Sequence, residues 1–264
     1  MKPILLISAS DSSSAAGMQV DLRVAQELGF PARCAVTALT VQGDAGVMRI
    51  DPADPDAVEL AIRTALSDEP GIAAVKVGLV PESRIVWSIA SALSEGAAGI
   101  PVVVDPVIRS TSGSQMADNR SGIALCDRIV PLGAILTPNR DELAALSKAA
   151  GAGTNERKLQ AMALIDIGAG AILVTGGDSG EDPCVDLLFS RSGDEPARFS
   201  HPRVGGQTPR GTGCALSTAL AAFLASGMEL EEAVGRAVEY VHGKIQRSVF
   251  IGKQRMLFGG GGRF

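Results

Sequence analysis

The chain has 264 residues, 46% of them apolar, seven Phe with one Tyr and one Trp as its aromatics, and a formal charge of -5. That length fits one α/β domain, and a diet of Ala, Gly, Val, Leu and Ile suits helices packed closely on a parallel sheet. The acidic balance offers no basic stripe for nucleic acid and no polybasic face for a membrane, and no apolar run reaches the length of a membrane span.

Cys34, Cys126, Cys184 and Cys214 are scattered without a C-x-x-C pair, and His201 and His242 are the only histidines. This pattern argues against a disulfide framework or a structural zinc site. The apolar start at 4–7 is too short for a signal peptide, so a cytoplasmic protein is expected.

In chain order, residues 4–9 read as a buried strand ending in the small polar run 10–17, and 18–28 as a helix stopped by Gly29. Strands are predicted at 32–39 and 47–50, then a helix over 52–66 with Asp54 or Asp56 near its start. Strand 72–79, helix 82–93 and strand 101–107 follow, the last carrying Asp105 where a strand ends. The polar run 109–115 either closes over a ligand or is simply solvated.

A helix near 122–129 leads to a strand at 134–137, and a helix opens at Asn139. A further helix is predicted over 154–167, a strand over 171–175, and a hairpin from 185–189 and 196–200 around the turn residues 192–194. Helices to 225 and from 229 to about 249 complete the domain, taken as 1–250, and the glycine run 259–262 suggests a flexible tail over 251–264. Alternating strands and helices predict one doubly wound, mainly parallel sheet with helices on both faces.

Gly211, Thr212, Gly213 and Cys214 stand at the mouth of the small, apolar helix ending near 225. Unpaired N–H groups and partial positive charge make such a mouth attractive to an anion, and the same field favours a thiolate at Cys214. Read alone, the stretch is equally compatible with plain loop chemistry. No Walker A loop and no protein-kinase signature set are present, and the glycines at 151–153 and 168–170 lack the setting of a dinucleotide fingerprint.

The blocks 8–11 with 15–22, then 36–42, 76–79, 104–107, 136–139 with Glu142, 174–177 and 210–214 occur in an order that resembles the hydroxymethylpyrimidine/phosphomethylpyrimidine kinases of thiamine biosynthesis. These belong to the ribokinase-like superfamily, most of whose members carry Asp in place of Cys214. The resemblance implies ATP and Mg²⁺ as cofactors, a small-molecule acceptor and a homodimer. It implies that Cys214 is the base for the acceptor hydroxyl and that Gly211, Thr212 and Gly213 form the anion hole.

Asp105 and Glu142 would lie at Mg²⁺, and Asn139, Thr175, Gly177 and Arg210 at the nucleotide. Asp21 and Gln42 would face the pyrimidine, with Ala9, Thr40, Leu79 and Val107 as pocket wall. Taken singly, Asn139 is a helix cap, Glu142 a first-turn acid, Asp21 an exposed helix acid and Leu79 a core residue.

The chain departs from the family pattern in its first loop, Ser12-Ser13-Ser14-Ala15-Ala16, which lacks three glycines and a proline, and in Gly43 after Gln42. Thr111 and Thr175 stand where lysines are usual, and Arg210 and Asp178 where histidines are. Arg210 is therefore expected to take over a phosphate contact, with Arg109 or Arg140 as further candidates. A pyridoxal or pyridoxine kinase and a non-catalytic pyrimidine sensor are the rival readings.

Overall fold

The computed structural model describes residues 1–44, 46–108, 116–118, 120–191 and 195–258. Thr111, Arg109 and the turn at 192–194 lie outside the described residues, as does the glycine run 259–262. The chain opens with β1 (Ile4–Asp11), α1 (Gly17–Glu27), β2 (Ala32–Gly43) and β3 (Gly46–Pro52), followed by α2 (Pro55–Ser67) and β4 (Ala74–Val77). Next come α3 (Ser83–Gly96), β5 (Val102–Val104), α4 (Ser121–Arg128), β6 (Ile135–Leu136), α5 (Arg140–Ala149) and α6 (Arg157–Asp166). β7 (Ala171–Val174), β8 (Cys184–Ser190) and β9 (Ala197–His201) precede α7 (Thr212–Ala225), α8 (Leu230–Gln246), β10 (Val249–Ile251) and β11 (Gln254–Met256).

Nine of these strands form one sheet in the order β3-β2-β1-β4-β5-β6-β7-β8-β9. The six from β2 to β7 in that order run parallel, while β3 pairs antiparallel with β2 at one end and, at the other, β8 pairs antiparallel with β7 and β9 with β8. The α/β, doubly wound, mainly parallel expectation therefore holds. The chain winds one way from β1 to β2 and then returns past β1 to β4, which puts the switch point at the carboxyl ends of β1 and β4.

Burial on both faces explains why the central strands read as continuous apolar runs. On one side Leu5, Ile7, Val75 and Val104 pack with α2 to α6 through residues such as Ile62, Ile89, Leu125, Leu146 and Leu164. On the other, Ile4, Val103 and Leu173 pack with α1, α7 and α8. α7 is apolar on every side, and its fully buried Ala215, Ala219 and Ala222 let it lie close to the sheet.

Boundaries shift where local chemistry overrides pattern. Asp54, not Asp56, caps α2, its carboxylate accepting from Asp56 N. α6 begins at Arg157 because Thr154 forms a local turn, its hydroxyl accepting from Glu156 N. The flexible tail expected from 251 is corrected for residues 251–258. β10 and β11 form an antiparallel hairpin there, and Arg255 anchors it by donating to the carbonyls of Gly205, Gln207 and Ile245. Among the described residues no helix is long and apolar enough to cross a membrane.

Between β1, β4, α1 and α7 lies a charged pair with no exposed surface. Lys76 Nζ is 2.7 Å from Asp21 Oδ2, and Thr218 donates to Asp21 Oδ1 at 2.8 Å. Lys76→Met is expected to cost about 3–5 kcal/mol, since it leaves a buried carboxylate without its counter-charge. Lys76→Met combined with Asp21→Leu should recover most of that loss. Urea unfolding midpoints at unchanged slope measure both, and a single variant as stable as the double one contradicts the expectation.

Candidate active site

The switch point gathers the ends of β1, β4 and β5 under the mouth of α7. Gly211 caps α7 in the left-handed region at φ +83°, and a Cβ there would stand 2.4 Å from the Ala15 carbonyl oxygen. Only glycine meets both conditions. Gly213 is exposed at the mouth, and a Cβ on it would lie 3.5 Å from Asp105 Oδ2, so the Asp105 carboxylate sits directly against the first turn. The four residues of the Gly-Thr-Gly-Cys block and Asp105 thus share one place, although one comes from a helix start and the other from a strand end.

The loop before α1 closes this place from above. Asp11 organises it by accepting from Ser13 N and Ser13 Oγ through Oδ1 and from Ala16 N through Oδ2. Ser14 takes φ +57°, a backbone state in which the family's missing glycines would sit without strain.

Cys214 is half-buried, its thiol turned toward Asp105 and the Gly17 N–H. The expected thiolate is corrected here: burial pushes this thiol up to about 12, with Asp21 and Asp105 adding to the rise while Lys76 and the Gly17 N–H oppose it. Enclosure outweighs the field of the helix end. Asp105 is raised to about 6, by burial first, with Asp21 adding and Lys76 and the Cys214 thiol holding it back. Its Oδ2 is buried without a hydrogen-bond partner.

Of the residues expected to face the acceptor, Ala9 and Leu79 form a small apolar cluster with Ala38 and Met116, and Val107 packs against it. Thr40 is buried beside it and donates to the Ser10 carbonyl. Gln42 donates through Nε2 to Thr40 Oγ1 and accepts from Arg210 through Oε1. Two expectations change. Asp21 has no exposed surface and both its oxygens are engaged by Lys76 and Thr218, so it supports the site from beneath instead of facing a ligand. Arg210, expected at a phosphate, is instead engaged with the Gln42 amide.

Of the residues expected at the nucleotide and metal, Asn139 caps α5 by accepting from Glu142 N, and Glu142 Oε2 accepts in return from Asn139 N, both at 2.9 Å. The capping reading of Asn139 is realised, and one Glu142 oxygen remains outside the box. Glu142 is raised to about 8 by burial first, then by the nearness of Asp105 and Asp178 against the pull of the Asn139 N–H. Thr175 follows β7, its N–H bonded to the Pro138 carbonyl, and Gly177 starts the loop that Arg203 ties down through the carbonyls of Gly177 and Glu181.

The phosphomethylpyrimidine kinase family matches this chain over residues 11–258, from the end of β1 through the C-terminal hairpin. The chain belongs to that family. A hydroxymethylpyrimidine/phosphomethylpyrimidine kinase of Rhizobium meliloti is 36% identical over 242 residues, 91% of this chain and 89% of the relative. The crystal structure of phosphomethylpyrimidine kinase from Clostridium difficile superposes with a TM-score of 0.77 at 28% identity, covering 93% of this chain and all of that one. Pyridoxal kinase from Staphylococcus aureus in complex with AMP-PCP and pyridoxal superposes with a TM-score of 0.84 at 27% identity, covering 96% and 91%.

Of four further residues at the site, Met116 and Arg203 lie outside the motif blocks, and the parts played by Lys76 and Asp11 are not evident from the blocks that contain them. Met116 lies beyond a polar run and joins the cluster of Ala9 and Leu79 only in three dimensions. A lysine in a strand, such as Lys76, gives no sign of its partner 55 residues away. Asp11 could have been found from its place at a strand end followed by serines. Arg203 carries no local signal at all.

The raised thiol has a direct chemical readout. At pH 8, Cys214 is expected to react with iodoacetamide about 100-fold or more slowly than the exposed Cys34, because the thiolate is the nucleophile. Peptide mass spectrometry of timed samples measures the two rates, and equal labelling would show that Cys214 is ionised.

Proposed function

We propose that this kinase transfers the γ-phosphoryl group of ATP to the hydroxymethyl group of 4-amino-5-hydroxymethyl-2-methylpyrimidine and to the resulting monophosphate. The observation that carries the reading is the convergence of the α7 mouth, Asp105 and a small apolar cluster beside the Gln42 amide. The names of the Rhizobium and Clostridium relatives support the acceptor, and the AMP-PCP complex of the Staphylococcus neighbour supports ATP as donor. A homodimer is part of the same reading.

The residues present suit Mg²⁺. Asp105 has an unpartnered buried oxygen, Glu142 stands beside it with its carboxylate held by the Asn139 and Ile108 N–H groups, and repulsion between the two carboxylates is relieved by a cation. Among the described residues no group of three or more His, Cys, Asp or Glu is placed to hold a metal. Few protein ligands fit an ion that keeps waters and phosphate oxygens in its shell. When bound, Mg²⁺ with ATP supplies the transferable group and neutralises its charge.

Gly211, Thr212 and Gly213 present backbone N–H groups where charge builds on the transferred phosphoryl. The wall of Ala9, Leu79, Val107 and Met116 holds the ring and keeps water from the acceptor. Thr175, Gly177 and Asn139 line the nucleotide side. Cys214 meets the acceptor hydroxyl and takes its proton through its ionised form, the thiol's own proton having left to water beforehand, while Asp105 stays ionised at the cation. Loose phosphoryl transfer makes only a small demand on such a base.

Incubation of the enzyme with ATP, Mg²⁺ and the pyrimidine should yield a product two phosphates heavier, read by mass spectrometry. Cys214→Ala should lower kcat by about 10²–10³-fold with little change in acceptor KM. Absence of any phosphate on the pyrimidine would reject the reading. The pyridoxal-bound neighbour makes pyridoxal the second acceptor to assay, and a higher kcat/KM for pyridoxal would favour that kinase instead.

A further inference from the structure

We propose that Arg210, held in place by the C-terminal hairpin, sets which way round the Gln42 amide faces the acceptor, and so determines which ring edge the pocket accepts. This role rests on the kinase reading above and deepens it.

Gln42 lies at the end of β2 and its amide is held at both atoms. Nε2 donates to Thr40 Oγ1 at 2.9 Å, and Thr40 Oγ1 donates to the Ser10 carbonyl at 3.1 Å. A hydroxyl has one proton, and here it is engaged by Ser10, so toward Gln42 the Thr40 oxygen can only accept. At the other atom Gln42 Oε1 accepts from Arg210 Nη2, and a guanidinium can only donate. Turning the amide over would set NH₂ against guanidinium and oxygen against a hydroxyl oxygen without a free proton. Both contacts would be lost together, so one orientation is selected.

With those contacts made, the amide keeps one N–H and one lone pair on Oε1. A ring edge bearing an acceptor nitrogen beside an exocyclic amine satisfies both. An edge without the amine leaves the lone pair unmet in a half-buried place, and an unmet polar group is costly there.

Arg210 is 168 residues from Gln42 in sequence, and its backbone is fixed from the opposite end of the chain. Arg210 N donates to the Arg255 carbonyl at 3.1 Å, and Arg210 bridges to Met256 in β11. Arg255 in turn grips the carbonyls of Gly205, Gln207 and Ile245. The hairpin thus carries Arg210 to the pocket.

The test compares Arg210→Ala, Arg210→Lys and Arg255→Ala with the wild type, using 4-amino-5-hydroxymethyl-2-methylpyrimidine and its analogue lacking the amine. Arg210→Ala should raise KM for the aminopyrimidine about tenfold, keep KM for ATP within about twofold, and erase most of the preference over the analogue. Arg210→Lys, still a donor only, should keep most of the preference, and Arg255→Ala should shift it in the same direction by a smaller factor. If Arg210→Ala fails to fold, Arg210→Gln replaces it, because an amide can present either atom and should lose the preference that lysine keeps. A raised KM for ATP with unchanged acceptor preference overturns the proposal and returns Arg210 to the phosphates. A wild type that transfers no phosphate to the pyrimidine rejects instead the kinase reading on which the role rests.

Discussion

One buried ammonium governs the chemistry of this site. Lys76 stands among three groups that can carry negative charge, Asp21, Asp105 and Cys214, in a volume with little access to water. Burial alone would lower the lysine, yet the three acids around it hold it above its ordinary value. Asp21 has the closest claim at 2.7 Å, and the positive charge is largely matched by that contact. Burial then makes the remaining acids hard to ionise, Asp105 near 6 and Cys214 near 12, with Lys76 opposing the rise only in part. A pair that touches no ligand thus tempers, against burial, how readily the site gains charge.

The same pair explains how three elements from distant parts of the chain hold one register. Asp21 belongs to α1, Lys76 to β4 and Thr218 to α7, and each satisfies another's buried polar atoms. Above them, the loop before α1 meets the mouth of α7 so closely that no side chain fits at Gly211. That loop has lost the glycines usual in the family, and the Asp11 carboxylate replaces backbone freedom with fixed hydrogen bonds. A stiffer loop held by one acid and a glycine it presses upon form a single unit.

The architecture was legible because strands buried on both faces leave apolar runs and helices leave their own period and caps. Gly211 to Cys214 and Asp105 stand where sites in such sheets gather, at a helix mouth and a strand end, whereas Ala9, Leu79 and Val107 were singled out only through the family resemblance. What failed were inferences from local chemistry about atoms decided by distant partners. Asp21 looks like an exposed helix acid until Lys76 and Thr218 enclose it. Cys214 looks ionised from the helix field alone, and enclosure by remote elements reverses that. The hairpin at 249–256 was hidden because its strands are three residues each, and its hold on the rest comes from Arg255 contacts to carbonyls up to 50 residues away.

Arg210 shows how cations are divided across the site. With its guanidinium on Gln42, the nucleotide side has Arg140 and Arg203 nearby, and the two are held differently. Arg203 donates to backbone carbonyls of Gly177 and Glu181 and fixes the shape of their loop. Among the described residues Arg140 reaches Glu181, at 3.4 Å and with both side chains partly in solvent, a contact of the kind worth little in water. A polyphosphate offers Arg140 a denser charge than one solvated carboxylate, whereas moving Arg203 would undo the loop it shapes. On the proposed roles, the nucleotide would rely on backbone N–H groups and one loosely held arginine, leaving Arg210 to orient the acceptor.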